Sequence, residues 1–185
     1  MGEQKHEVAL DTPIRIPGEF ENPTVIITAL PTRKFQSGGL EFEYPASFRW
    51  EADLSNPARK EWVLRGETIK LEYVWFPKTT NTVAWYAGFF APVLNAAESD
   101  ITDAERTLND HTYRGKFVSG KTAGRDATME FLQVPSRAGL RILMVRDYPP
   151  KNMSSSKEKS EVMEMLAKTL RDTAADAAPD HEKDD

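Results

Sequence analysis

Thr112–Asp147 reads TYRGKFVSGKTAGRDATMEFLQVPSRAGLRILMVRD, and two incompatible proteins can be read from it. Gly115 to Thr122 satisfies GxxxxGK[ST], in which backbone amides cradle phosphates, the lysine reaches the terminal ones and the hydroxyl holds magnesium. That chemistry requires a buried parallel strand before the loop and a helix after it. The preceding Asn109-Asp110-His111-Thr112-Tyr113-Arg114 is no such strand, and Gly124 stands where the helix should begin. The same residues make sense as architecture. Tyr113 to Val118 reads as a strand, Gly120 to Gly124 as a turn and Thr128 to Val134 as a second strand. Pro135 to Gly139 is then a turn, and Leu140 to Tyr148 a third strand. Leu140, Ile142 and Met144 share one face while Leu143 and Val145 occupy the other, the mark of a strand buried on both sides. The expectation is an antiparallel meander, with a P-loop-type nucleotide binder as the weakest of three functional readings.

The composition narrows the chemistry. The 185 residues suffice for one domain with a substantial core, and 39% hydrophobic with 29% charged residues is ordinary for a globular protein. A net charge of −5 gives no general attraction for nucleic acid. Without cysteine there is no thiolate nucleophile, disulfide or cysteine zinc site, and His6, His111 and His181 form no metal-ligand spacing. No catalytic set, cofactor or metal site is expected. No run approaches the length of a membrane helix.

N-terminal to the meander, Pro13, Pro17 and Pro23 make residues 1–23 an expected extended arm, followed by a short Val25–Ile27 strand. Ser37-Gly38-Gly39 reads as a turn. Leu40, Phe42 and Tyr44 alternate with Glu41 and Glu43, a strand with one buried face, and Phe48 and Trp50 resume the aromatic pattern. Trp62–Leu64 and Ile69–Phe76 flank Arg65-Gly66-Glu67 as a hairpin. Asn81-Thr82 opens an apolar helix through Trp85, Tyr86, Phe89, Phe90, Val93 and Leu94, with a kink or break at Pro92. Thr102 and Glu105 have capping-box spacing and predict a second short helix ending near Asn109. Ser155 and Glu158 repeat that spacing ahead of an amphipathic helix carrying Val162, Met165, Leu166, Thr169 and Leu170. Residues 24–172 are thus expected to form one domain, and 173–185, ending in four acids and one lysine from Asp180, an acidic disordered tail.

Certain of these residues resemble the PsbP-like family, which includes photosystem II extrinsic subunits, DcrB-type bacterial lipoproteins and a Ran-binding import factor of the same fold. They are Leu40–Pro45 with Trp50, the strand Ile69–Pro77 ending in Val74-Trp75-Phe76-Pro77, Ala91-Pro92, the glycine-started strand Gly124–Phe131, and Leu166–Arg171. The resemblance implies an α+β fold, an antiparallel sheet flanked by helices in an α/β/α sandwich. It also implies an accessory or binding protein rather than an enzyme, often exported or lipid-anchored.

Two binding readings follow. The first is a noncatalytic module acting on another protein, with Arg114, Lys116, Lys121 and Arg125 as a basic cluster near one turn. The second is a small-ligand protein with a pocket between the sheet and the aromatics Trp85, Tyr86, Phe89 and Phe90. The pairs Glu41/Glu43 and Asp100/Asp103 are read as structural, the latter at a helix start.

Overall fold

The computed structural model describes residues 30–176; the arm 1–23, the Val25–Ile27 strand and residues 177–185 of the expected tail 173–185 lie outside them, while Thr173–Asp176 of that tail are helical. Ten strands, β1 (Thr32–Ser37), β2 (Leu40–Pro45), β3 (Arg49–Asp53), β4 (Lys60–Arg65), β5 (Ile69–Phe76), β6 (Ile101–Leu108), β7 (His111–Thr122), β8 (Arg125–Val134), β9 (Leu140–Asp147) and β10 (Arg171–Asp172), are joined by helices α1 (Val83–Phe90), α2 (Lys157–Thr169) and α3 (Thr173–Asp176). A seven-stranded sheet runs β3-β4-β5-β9-β8-β7-β6, and a small sheet runs β1-β2-β10; every pairing is antiparallel. This is an α+β sandwich. The central stretch forms the expected meander β7-β8-β9.

β9 is the fourth of the seven strands, and its alternation explains the layers. Leu143 and Val145 join Leu71, Tyr73 and Leu132 beneath α2 and the small sheet, whose Phe42, Tyr44, Val162 and Leu166 complete that core. Ile142 and Met144 face the other way, against Met129, Phe131, Tyr86 and Leu94 of the α1 layer. Each fully buried side chain of this size stabilises by roughly 1.5–3 kcal/mol relative to an exposed one. A strand burying both faces can occupy only the middle of such a sandwich. Trp50, by contrast, is 56% exposed on edge strand β3, and Phe48 alone of that pair enters the core.

Three local expectations are overturned. Residues 101–108 are strand β6, not a helix; only a 3-10 turn at Glu98–Asp100 precedes it. Asp100 accepts from the Ala97 amide at 2.7 Å, so Asp100, not Glu105, closes the turn, and Asp103 sits in a strand. Asn109 and Asp110 both have positive φ (45° and 64°) and join β6 to β7 as a two-residue hairpin, which asparagine and aspartate tolerate. Gly120 to Thr122 likewise continues β7, and the reversal is at Ala123-Gly124, with φ of 48° and 77°. Finally, α2 is capped by Ser156, whose hydroxyl accepts from the Lys159 amide at 3.0 Å. Ser155 instead donates to Asp147 at 3.2 Å, and Glu158 turns away to the β4–β5 hairpin.

The break at Pro92 is present: α1 ends at Phe90 and a 3-10 turn spans Ala91–Leu94, because a proline cannot donate the helical hydrogen bond. The Ser37–Leu40 turn is also as expected, Gly38 and Gly39 having φ of 57° and 74°.

Candidate functional site: the outward face of the first helix

β7 disposes of the phosphate-loop pattern. Its glycines serve close packing. A Cβ at Gly115 would lie 1.7 Å from the Phe131 carbonyl oxygen, and one at Gly120 2.2 Å from that of Leu94. The segment runs into a hairpin turn and the antiparallel β8, so no helix N-terminus faces Lys121 or Thr122. Lys121 lies 3.9 Å from Asp126, both side chains well exposed.

The basic cluster is spread out. Arg114 and Lys121 are separated along one strand by about 23 Å at ~3.3 Å per residue, and odd and even positions point to opposite faces. Arg114, Lys116 and Arg125 lie on the α1 side of the sheet, with Val118 and Met129 between them in the core, whereas Lys121 shares the α2 side with Tyr113. Arg114 meets Glu105 at 3.1 Å and Lys116 meets Asp103 at 2.5 Å across the β6–β7 ladder, and the Arg125 guanidinium lies 6.0 Å from the Tyr148 ring. The Lys116 contact holds the Asp103 carboxyl below the ordinary carboxylate range, its hydrogen bond contributing most.

The helix aromatics separate into two pairs. Thr82 caps α1, accepting from the Trp85 amide at 3.3 Å, which fixes where the helix starts. Tyr86 and Phe90, four residues apart, turn inward. Their rings lie 5.0 Å from each other and both 5.9 Å from Phe131, so these three rings fill the space between helix and sheet. The Tyr86 hydroxyl is pushed upward in pKa, chiefly by burial and then by the Glu72 charge. Glu72 itself is buried, held by Lys70 and by Arg146 at 3.7 Å.

Trp85 and Phe89 turn outward. They are 49% and 67% exposed, and Val93, one turn further on, is 46% exposed. Ala84, Pro92 and the partly exposed Gly88 complete this surface. From Val83 to Ala97 there is no charged side chain. A helix apolar on all sides is ordinarily covered on all sides, whereas the sheet covers one side of α1. The outward pair has the same i, i+4 spacing as the inward pair, so periodicity did not separate them. The missing charges between Val83 and Ala97 were the available signal.

A second region was not singled out by sequence. At the opposite end of β7, Asn109, His111, Thr112, Tyr113, Pro135, Arg171 and Asp172 line a cleft of about 450 Å³. Its residues are spread over sixty positions of sequence and are brought together by the pairing of β10 with β2, by the Asn109 side chain donating to the Leu170 carbonyl, and by Arg141 bridging Pro135 and Asp172.

No protein-family model matches the chain, and no curated protein matches it in sequence. The fold is found in solved structures. The Ran-binding protein Mog1p of Saccharomyces cerevisiae superposes with a TM-score of 0.51 at 6% identity, over 78% of this chain and 97% of that one. A point mutant of Mog1 gives 0.51 at 5% identity over the same shares. LpqN, involved in cell envelope biogenesis of Mycobacterium tuberculosis, gives 0.31 at 10% identity over 75% and 88%. The likeness to Mog1p is one of fold: an antiparallel α+β sandwich.

Proposed function

We propose that this protein is a noncatalytic binding module that engages another folded protein through the outward face of α1 and the 3-10 turn after it. The observation that carries the reading is the uncharged surface of Trp85, Phe89 and Val93, all exposed on a helix whose other side already belongs to the core. Contiguous exposed apolar surface of this kind marks an interaction site, and aromatic side chains are the usual anchors of protein interfaces. A protein partner rather than a small molecule is favoured because the space beneath the face is filled by Tyr86, Phe90 and Phe131. The fold neighbour Mog1p is described as Ran-binding, and a protein partner for this chain accords with that. Membership of the PsbP-like family is supported at the level of fold.

A photo-crosslinking amino acid at Phe89, compared with one at exposed Glu161 on α2, tests the reading in native extract. The expected result is a discrete heterologous protein adduct from position 89 and none from 161. Phe89→Glu should abolish binding of the partner so identified while leaving stability within about 0.5 kcal/mol, as for most exposed positions. Adducts only between copies of this chain, or equal adducts from both positions, would overturn it.

A further inference from the structure

The cleft at the β6–β7 turn has a different chemistry from the α1 face and lies at the other end of β7. Its floor is Tyr113, which is 3% exposed, and whose hydroxyl has no hydrogen-bond partner among the described residues. The ring is buried, but the hydroxyl is not a buried orphan like that of Tyr86; it opens into the cleft, where it can donate to a ligand. Burial, and then the nearby Asp172 charge, raises the pKa of Tyr113, which keeps the hydroxyl protonated as a donor.

Two further donors line the same cleft. Arg171 and His111 are exposed, and neither side chain has an ion pair or hydrogen bond among the described residues. The strand arginines and lysines of β6–β8 face carboxylates or a ring; Arg171, on β10, does not, and it lines the cleft together with His111. The carboxylate in the cleft is paired with a buried guanidinium. Asp172 receives two hydrogen bonds from Arg141 Nη1, at 2.9 and 3.1 Å, and Arg141 is itself 4% exposed. Asp172 therefore offers an acceptor for hydroxyl groups, with Arg141 offsetting part of its charge. The Asn109 amide and side chain donate to Ala167 and Leu170 carbonyls at 2.8 and 3.0 Å, tying the turn to the end of α2.

We infer that this cleft binds a small hydroxylated oxyanion. Arg171, His111 and the Tyr113 hydroxyl would donate to the anionic group, and Asp172 would accept from the ligand's hydroxyls. Its volume is within the range of small-molecule sites. Guanidinium recognises phosphate and carboxylate alike, with paired donors in a fixed plane.

The test is a titration of the full chain with glycerol 2-phosphate, tartrate and glycerol, followed by NMR shifts at Arg171, His111 and Tyr113. Saturable binding of at least one of the two anions is expected, with a Kd on the order of 1 mM for so small a probe, and none of glycerol. The tighter of the two anions assigns the headgroup as phosphate ester or carboxylate. Arg171→Gln should weaken binding about tenfold or more, the equivalent of ~1.4 kcal/mol. Tyr113→Phe, which removes only the hydroxyl, should weaken it severalfold. Shifts scattered over surface lysines such as Lys157, binding unchanged in both variants, or no saturable binding of either anion would overturn the assignment.

Discussion

Buried polar atoms show most directly which side chains are committed. Tyr73 and Tyr86 lie on opposite faces of the sheet and are both buried, but only one is satisfied. The Tyr73 hydroxyl donates to the Gly38 carbonyl and accepts from Arg141 Nε, both at 2.7 Å. The Tyr86 hydroxyl has no partner among the described residues. Removing a bonded hydroxyl strands its partners, whereas removing an unpaired one removes a desolvation cost. Tyr73→Phe should therefore destabilise by about 1–3 kcal/mol, and Tyr86→Phe should be neutral or stabilising by up to ~1 kcal/mol, in urea unfolding at pH 7. Burial raises the pKa of Tyr73, Tyr86 and Tyr113 above the ordinary tyrosine value of about 10. The unfolded chain then ionises first. Their contribution is fully present below about pH 10 and is lost as pH rises through the higher folded values. Stability should fall above that pH, less steeply in Tyr86→Phe. Sequence showed these tyrosines as aromatic positions on apolar faces, but not which hydroxyl would meet Arg141, sixty-eight positions away from Tyr73.

Among the elements, glycines separate packing from propensity. Gly88 lies within α1 with nothing within 4 Å of a Cβ built on it, whereas one at Gly120 would be 2.2 Å from the Leu94 carbonyl oxygen. Gly88→Ala should stabilise by about 0.5–1 kcal/mol through helix propensity alone. Gly120→Ala must push the 3-10 turn off the sheet and should cost about 1–3 kcal/mol, the usual scale of overpacking. Thermal unfolding of the two variants checks both signs. The same contact explains why GxxxxGK[ST] at Gly115 to Thr122 misleads: two of the residues that make the pattern are glycines because backbone crosses backbone there. β6 shows a complementary failure. Thr102 and Glu105 have capping-box spacing, but β7 offers a ladder with Asp103 facing Lys116 and Glu105 facing Arg114, and tertiary pairing outweighs a local cap. Asn109-Asp110, a dipeptide suited to positive φ, was the hairpin signal in the sequence.

Across the whole molecule, a few long-range polar ties join the layers. The Glu158 carboxylate, at the start of α2, accepts from the amides of Glu67, Thr68 and Ile69 at 3.1, 2.6 and 3.1 Å, and from the Thr68 hydroxyl at 2.9 Å. Glu158→Ala leaves those hairpin amides without their acceptor. It should cost about 2–3 kcal/mol and raise amide exchange at residues 67–69 before other regions. On the same face Arg141 reaches the Gly38 and Gly39 carbonyls and Asp172, locking the end of the small sheet where the β1–β2 turn meets β10 to β9. By itself the sequence determined the meander, the two-sided burial of β9, the break at Pro92 and the amphipathic α2. Each follows from side-chain period or from proline's missing donor, which act within a few residues. Only the tertiary structure decided which pair of α1 aromatics faces outward, that the four basic residues part to two faces, and that Arg171, His111 and Tyr113 share a cleft. Those depend on strand order and helix rotation, set by packing between segments far apart in the chain, and no local pattern encodes them.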